Sequence, residues 1–312
     1  MPYNGGVKEE IRTHLILLAV VVIWSFAFLA IKRLLGQLDW LALNQARFTF
    51  STLGFAPLLL AFRKRLPPVG AADLLKLALL GLVSVAGYHL SLNYGELFVP
   101  AGVTSLLVTT SPLFTLALAA LFLGERVRPG QAAGFLLAFG GLFLCVAYGT
   151  PRDSGVDRWL GAALLLLAAF CWGAYTVGMK SLSRRLDPLQ ITGYSTIFGW
   201  AAMLPLLNGA RLRQAAALSS VGWAWLAFLG LVCTVLGYFL FTYALARLEA
   251  TRASAYLYLV PVLGLLWGKL FLGEEVNALV VAGAAMVITG LVLVEHRRVA
   301  NLPPVLEDQG DA

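Results

Sequence analysis

Ten separate runs of mostly apolar residues divide this chain, at about 13–34, 41–62, 73–96, 100–122, 131–149, 159–182, 189–208, 222–245, 251–272 and 277–295. A helix needs about 20 such residues to cross the hydrocarbon core of a bilayer. In lipid, a spanning segment must also satisfy its backbone N–H and C=O groups internally. The expected fold is therefore an all-α integral membrane protein with ten transmembrane helices. Composition agrees, since 60% of the residues are hydrophobic and only 12% charged, against about 25% charged in soluble domains. The lipid bilayer is thus an obligatory partner.

The connections are short and carry the helix breakers: Arg63-Lys64-Arg65 with Pro67-Pro68, Arg126 to Pro129, Pro151 to Asp157, and Arg184 to Pro188. They leave no room for a soluble domain. The first run is too long for a cleaved signal and carries Trp24, Phe26 and Phe28 where a small-residue cleavage site would stand, so it is expected to remain as a span. Net charge is +7, but the cations sit in short loops with no continuous basic stripe. They read as determinants of topology, and nucleic acid is excluded as a partner. With the N-terminus inside, fifteen Lys and Arg fall on the inner side and six on the outer, which places both termini in the cytoplasm. Cys145, Cys171 and Cys233 lie in apolar runs without metal-ligand spacing and read as small core hydrophobes.

One pattern occurs twice. Ala101, Ser105, Pro112 and Phe122-Leu123-Gly124-Glu125 return, residue for residue, as Ala250, Ser254, Pro261 and Phe271-Leu272-Gly273-Glu274, a spacing of 149. Tyr94 with Tyr243, Gly134 with Gly283 and Gly141 with Gly290 keep that spacing, while Trp24 with Trp172, Lys32 with Lys180 and Asp39 with Asp187 lie 148 apart. A fixed period of half the chain signals an internal duplication. Five helices per copy is an odd number, so the second copy must enter the membrane inverted. The expected organisation is a cytoplasmic tail at 1–12, a first five-helix repeat at 13–150, an inverted second repeat at 151–296 and a flexible tail at 297–312. Inverted repeats enclosing a central site are a transporter architecture.

Trp24-Ser25-Phe26, Arg47, and the two copies Ala101 to Glu125 and Ala250 to Glu274 carry a family resemblance that covers about 13–295. On these residues the chain resembles the drug/metabolite transporter superfamily and, within it, the EamA-type exporters. The resemblance implies ten helices around a central cavity, peripheral fifth and tenth helices, and export of small metabolites, often amino acids, across a bacterial inner membrane. Tyr88-His89 is similar to a stretch in YddG-like aromatic amino-acid exporters.

Candidate substrate-binding residues follow from polarity at membrane depth, which is costly unless it faces protein or water. His89 and Asn93 share a helical face with Glu96, which lies near the outer end and reads as an interfacial or loop residue. Tyr238 and Thr242 stand at the equivalent positions of the second copy, with Thr234 one turn earlier. His89, with an ordinary pKa of about 6.5, can contact substrate or carry a proton, or can sit neutral on a backbone carbonyl. Ser105 and Thr109, matched by Ser254 and Tyr258, can offer hydroxyls to a ligand or bond back to their own helix. Tyr88, Trp24, Trp172 and Tyr175 supply aromatic walls suited to planar or amphipathic substrates and to an ammonium group. Pro112 and Pro261, at mid-depth, are expected to bend their helices and act as hinges. Structural roles are expected for Arg47, close enough to the surface to snorkel, for Glu125 and Glu274 as caps or ion pairs, and for Gly134 and Gly283, which allow close helix contact within the monomer or between protomers. Lys269 reads as an interfacial anchor.

These residues fit a secondary transporter working by alternating access on small neutral or zwitterionic metabolites, amino acids first. No phosphate-binding loop or metal-ligand spacing occurs, so no cofactor is expected. The absence of a central cluster of cations argues against a nucleotide-sugar or phosphate antiporter. A multidrug exporter for hydrophobic cations is the alternative, although no deep carboxylate is there to pair with a cation. Outside transport, a membrane receptor or scaffold remains. An enzyme is not expected, because no reactive constellation is found. A monomer or weak homodimer is the expected state.

Overall fold

The computed structural model describes residues 4–123, 129–150, 157–183, 185–245 and 256–299. Among them the ordered elements are helical, and no strand occurs. In order they are α1 (Asn4–Leu35), α2 (Trp40–Phe62), α3 (Ala71–Gly95), α4 (Ala101–Val108), α5 (Ser111–Leu123), α6 (Pro129–Gly149), α7 (Asp157–Leu182), α8 (Pro188–Met203), α9 (Gly209–Ala216), α10 (Ser220–Ala244), α11 (Val260–Leu272) and α12 (Ala278–Val299). Within α1, α3, α7 and α10 lie four stretches long and apolar enough to cross a membrane. Leu53, Leu60, Leu75, Leu136 and Leu270 turn their side chains outward, as expected where the surrounding solvent is lipid.

Local chemistry sets the ends of these helices. Asp39 caps α2, its carboxylate accepting from Leu41 N and Ala42 N at 2.9 Å each. Asp187 caps α8 in the same way, accepting from Leu189 N at 2.8 Å, with Gln190 closing a capping box. These two aspartates lie 148 apart, so the duplicated Asp is a duplicated N-cap. Gly273 ends α11 with φ +69°, a left-handed conformation that glycine adopts at little cost. That turn aims the next residue, Glu274, at another helix. Its carboxylate accepts from Ala101 N at 2.6 Å and Gly102 N at 3.0 Å and so caps α4.

α6 and α12 pack along their length as a pair. A side chain on Gly290 would meet the Gly134 carbonyl oxygen at 2.5 Å, and one on Gly283 would meet the Gly141 carbonyl oxygen at 2.7 Å. These four glycines thus make close helix contacts within the chain. α9 is a short surface helix that the apolar runs did not foretell. Its Arg211 stands 3.5 Å from Asp39, and its Gln214 accepts from Asp39 N at 3.1 Å.

The central contacts join residues one repeat apart. His89 on α3 meets Tyr238 on α10, and Trp24 on α1 meets Trp172 on α7. α1, α3, α7 and α10 thus surround the core of the molecule.

The candidate functional site, a central aromatic cavity

Two widened helical turns position the site. The backbone of α3 is π-helical over Leu82–His89, and that of α10 over Phe228–Leu236. Such turns displace the side chains that follow and recur at functional sites. His89 ends the first, and Tyr238 follows the second by two residues. The His89 Nε2 and the Tyr238 hydroxyl are 2.9 Å apart. Around them stand Trp24, Tyr88 and Trp172. The Trp24 and Trp172 rings meet edge to face at 5.6 Å, as do Trp172 and Tyr238 at 5.4 Å, while Tyr88 lies tilted against Trp172 at 5.1 Å. Edge-to-face contact suits the aromatic quadrupole. Trp24 is fixed by donation from Nε1 to the Cys233 carbonyl at 3.0 Å.

These rings line a cavity with Phe28, Arg47, Thr109, Pro112, Leu257 and Val260. A water-sized sphere can be centred in about 70 Å³ of it. That is room for a few waters. The polar side chains in its lining are the His89–Tyr238 pair, Arg47, Tyr88, Thr109 and Ser111, with the indoles of Trp24 and Trp172. Among the described residues, no three His, Cys, Asp or Glu side chains stand together so as to hold a metal ion.

Six expected site residues meet here: Trp24, Tyr88, His89, Thr109, Trp172 and Tyr238. Pro112 and Arg47, expected as a hinge and a structural residue, also line it, whereas the other described candidates for substrate binding form no part of the lining. Asn93 is fully buried and donates to the Asn44 Oδ1 at 3.2 Å. Tyr175 pairs with the Ser195 hydroxyl at 3.3 Å. Thr242 bonds back to the Tyr238 carbonyl, and Ser105 to the Gly102 carbonyl. Tyr258 is buried. Ser254 and Glu125 lie outside the described residues.

Three expectations change. Pro112 and Pro261 do not bend continuous helices. Pro112 is the second residue of α5, after a turn at Thr109-Thr110, and Pro261 is the second residue of α11. Proline suits the first turn, where its missing N–H has no helical acceptor to lose, so each opens a new half-helix at the cavity. Glu96 is not interfacial. It is fully buried at the end of α3, its carboxyl oxygens contact no donor, and Lys32 donates instead to the backbone carbonyls of Glu96 (2.5 Å) and Val99 (3.0 Å). Arg47 does not snorkel either. It is 3% exposed and lines the cavity. A signal for this was available: Asn44, Gln45, Arg47 and Ser51 crowd polar groups onto two turns of an apolar helix, a spacing that belongs to a buried face.

The model of the EamA-like transporter family matches this chain twice, at residues 11–147 and 159–295. A probable terminal-alkyne amino-acid exporter of Streptantibioticus cattleyicolor is 34% identical over 90% of this chain and 92% of the relative. An uncharacterized transporter of Archaeoglobus fulgidus is 31% identical over 92% of this chain and 100% of the relative. A probable amino-acid metabolite efflux pump of Salmonella typhimurium is 28% identical over 88% and 91%. One crystal structure of a protein 19% identical to this one superposes over 92% of this chain and 98% of that one, with a TM-score of 0.61, and so shares the fold. With a match spanning both halves and relatives of this kind along its whole length, the chain belongs to the EamA-like transporter family and is an integral membrane protein.

Proposed function

We propose that the protein is a secondary transporter that exports small neutral or zwitterionic metabolites, amino acids first, by alternating access. The carrying observation is the small aromatic cavity at the place where residues one repeat apart touch each other. In this reading the halves at 13–150 and 151–296 are inverted five-helix repeats, and the ten spans place both termini in the cytoplasm of a bacterial inner membrane. Contacts support the inversion. Gly134 meets Gly290 while Gly141 meets Gly283, and each of these crossed pairs maps onto the other under the spacing of 149. A two-fold axis in the membrane plane requires such crossing.

Opening then follows from rocking. The rings of Trp24, Tyr88, Trp172 and Tyr238 separate, and the cavity widens to admit a substrate, which the aromatic walls and the His89–Tyr238 pair contact. Asn93, Tyr175 and Thr242 support those walls from behind, and the breaks before Pro112 and Pro261 let α5 and α11 swing. The protein acts as a monomer or at most a weak homodimer, since its glycine faces are used internally. The names of relatives that export amino acids or amino-acid metabolites support this substrate class.

The test is flux. Purified protein in proteoliposomes is expected to move labelled amino acids down their gradient at least about tenfold faster than empty vesicles. Cysteines placed at Gly124 and Gly273 are expected to react with an impermeant reagent from opposite faces. Flux no faster than empty vesicles for a panel of amino acids would overturn the substrate class; labelling from one face would overturn the inversion.

A further inference from the structure

The cavity holds one feature that the transport cycle above does not use, the buried guanidinium of Arg47. It is 3% exposed in an apolar helix bundle. Arginine keeps its proton in proteins, so this is a permanent charge. Its Nε and Nη2 both reach the Thr234 Oγ1 at 3.2 Å. That hydroxyl gives its own proton to the Leu229 carbonyl at 2.9 Å, five residues back in the π-helical turn of α10. Thr234 is thereby held as an acceptor, and it fixes the side edge of the guanidinium. Nη1 contacts no acceptor.

Among the described residues no carboxylate stands within 4.0 Å of Arg47; the ion pairs there are Arg185–Asp73 and Arg211–Asp39. The buried Glu96 carboxyl makes no hydrogen bond to it. The Phe48 ring, with its centroid 5.7 Å from Cζ, gives the guanidinium a cation–π contact but no hydrogen-bond acceptor or counter-charge. A buried charge without a partner is strongly unfavourable. Here the protein fixes one edge of the group and leaves the end edge, Nη1 with the second N–H of Nη2, unused. That edge has the spacing of a carboxylate and accepts one in bidentate fashion.

The geometry points to Arg47 as the subsite for the carboxylate of the transported molecule. The inference rests on the amino-acid reading above and narrows it: the substrate carries a free carboxylate, and the aromatic box of Trp24, Tyr88, Trp172 and Tyr238 takes the remainder, including an ammonium group. A single cation suits a monoanionic carboxylate. Hydrophobic cations, which lack any anion, are rejected by the same charge.

The test uses the full chain in proteoliposomes with labelled L-phenylalanine, competed by unlabelled L-phenylalanine or by L-phenylalaninamide, which keeps the ring and ammonium but lacks the carboxylate. The wild type is expected to favour the acid over the amide by about tenfold or more, the range of one charge-assisted hydrogen bond. Arg47→Gln is expected to lose that preference. Arg47→Lys keeps the charge and a donor to Thr234, and is expected to fold and to retain only a small part of the preference. Equal competition by acid and amide in the wild type would overturn the subsite while leaving amino-acid export standing. So would a full preference in Arg47→Lys or in a folded Arg47→Gln. No flux of phenylalanine or any other amino acid would instead remove the export reading, and this inference with it.

Discussion

Two crossings in this molecule use the same backbone contact and carry different chemistry. Where α10 crosses α2, a side chain on Gly230 would stand 2.9 Å from the Arg47 carbonyl oxygen; where α3 crosses α8, a side chain on Gly81 would collide with the Ser195 carbonyl oxygen. Gly81 and Gly230 lie 149 apart, and Arg47 and Ser195 lie 148 apart. The two crossings are thus counterparts, held by the same need for a bare Cα. Their side chains differ. Arg47 reaches Thr234 and the cavity, whereas Ser195 bonds back to the Ile191 carbonyl at 2.6 Å and touches the Tyr175 hydroxyl. The counterpart of Thr234 is Val85, which accepts nothing on its side chain. The packing, which tolerates little change, is the same at both crossings, and at the matched polar position one copy carries a charge and the other a hydroxyl. The lesson is that the symmetry of this fold resides in its contacts and its specificity in the places where the copies part.

The largest effect expected is from filling those crossings. Gly81→Val and Gly230→Val should each lose about 1–3 kcal/mol or more, because an added side chain meets the backbone of Ser195 and Gly199 at Gly81, and the Phe50 Cβ with the Arg47 carbonyl oxygen at Gly230, none of them the far end of a flexible side chain. Thermal unfolding in detergent, followed by tryptophan fluorescence, reads both. Losses differing by more than about 1 kcal/mol would break the equivalence of the two crossings. A smaller effect is expected at the central pair. Tyr238→Phe removes the hydroxyl that His89 meets at 2.9 Å and should cost about 1 kcal/mol. If calorimetry found Tyr238→Phe as stable as the parent, the pair would be a contact without energetic weight. The smallest effect sharpens the comparison at the helix starts. Asp39→Ala and Asp187→Ala each remove an N-cap and should each cost about 1 kcal/mol. Asp39 also meets Arg211 at 3.5 Å, partly in solvent, so its excess should stay within a few tenths of a kcal/mol. A much larger excess in urea or thermal titrations would show that α9 locks the α1–α2 turn.

Much of this was legible in the residues. The all-helical membrane character follows from run length and composition, and the chain order of the helices follows from the breakers between them. Six lining residues of the cavity were found from polarity at depth and from aromatic content, because a His or Tyr in lipid must be enclosed. Asn93, Tyr175 and Thr242 share that signature yet stand behind the lining. Helical spacing gives a face, but it does not say how far from the axis that face sits. The two prolines were found as points of weakness, and their role as openings of new half-helices emerged only with Thr109 and Thr110 in a turn.

The sequence by itself determined the solvent and the duplication, since the first depends on residues close together in the chain and the second on a period within it; that the repeated Asp39 and Asp187 are helix caps emerged only with the structure. The tertiary structure alone decided where Arg47 and Glu96 went. Both lie near the ends of apolar runs, where a long side chain can reach water or turn inward at comparable local cost, and the choice is made by helices distant in sequence. For Arg47 it is Thr234, 187 residues away, whose hydroxyl is aimed by a π-helical turn that no local propensity announces.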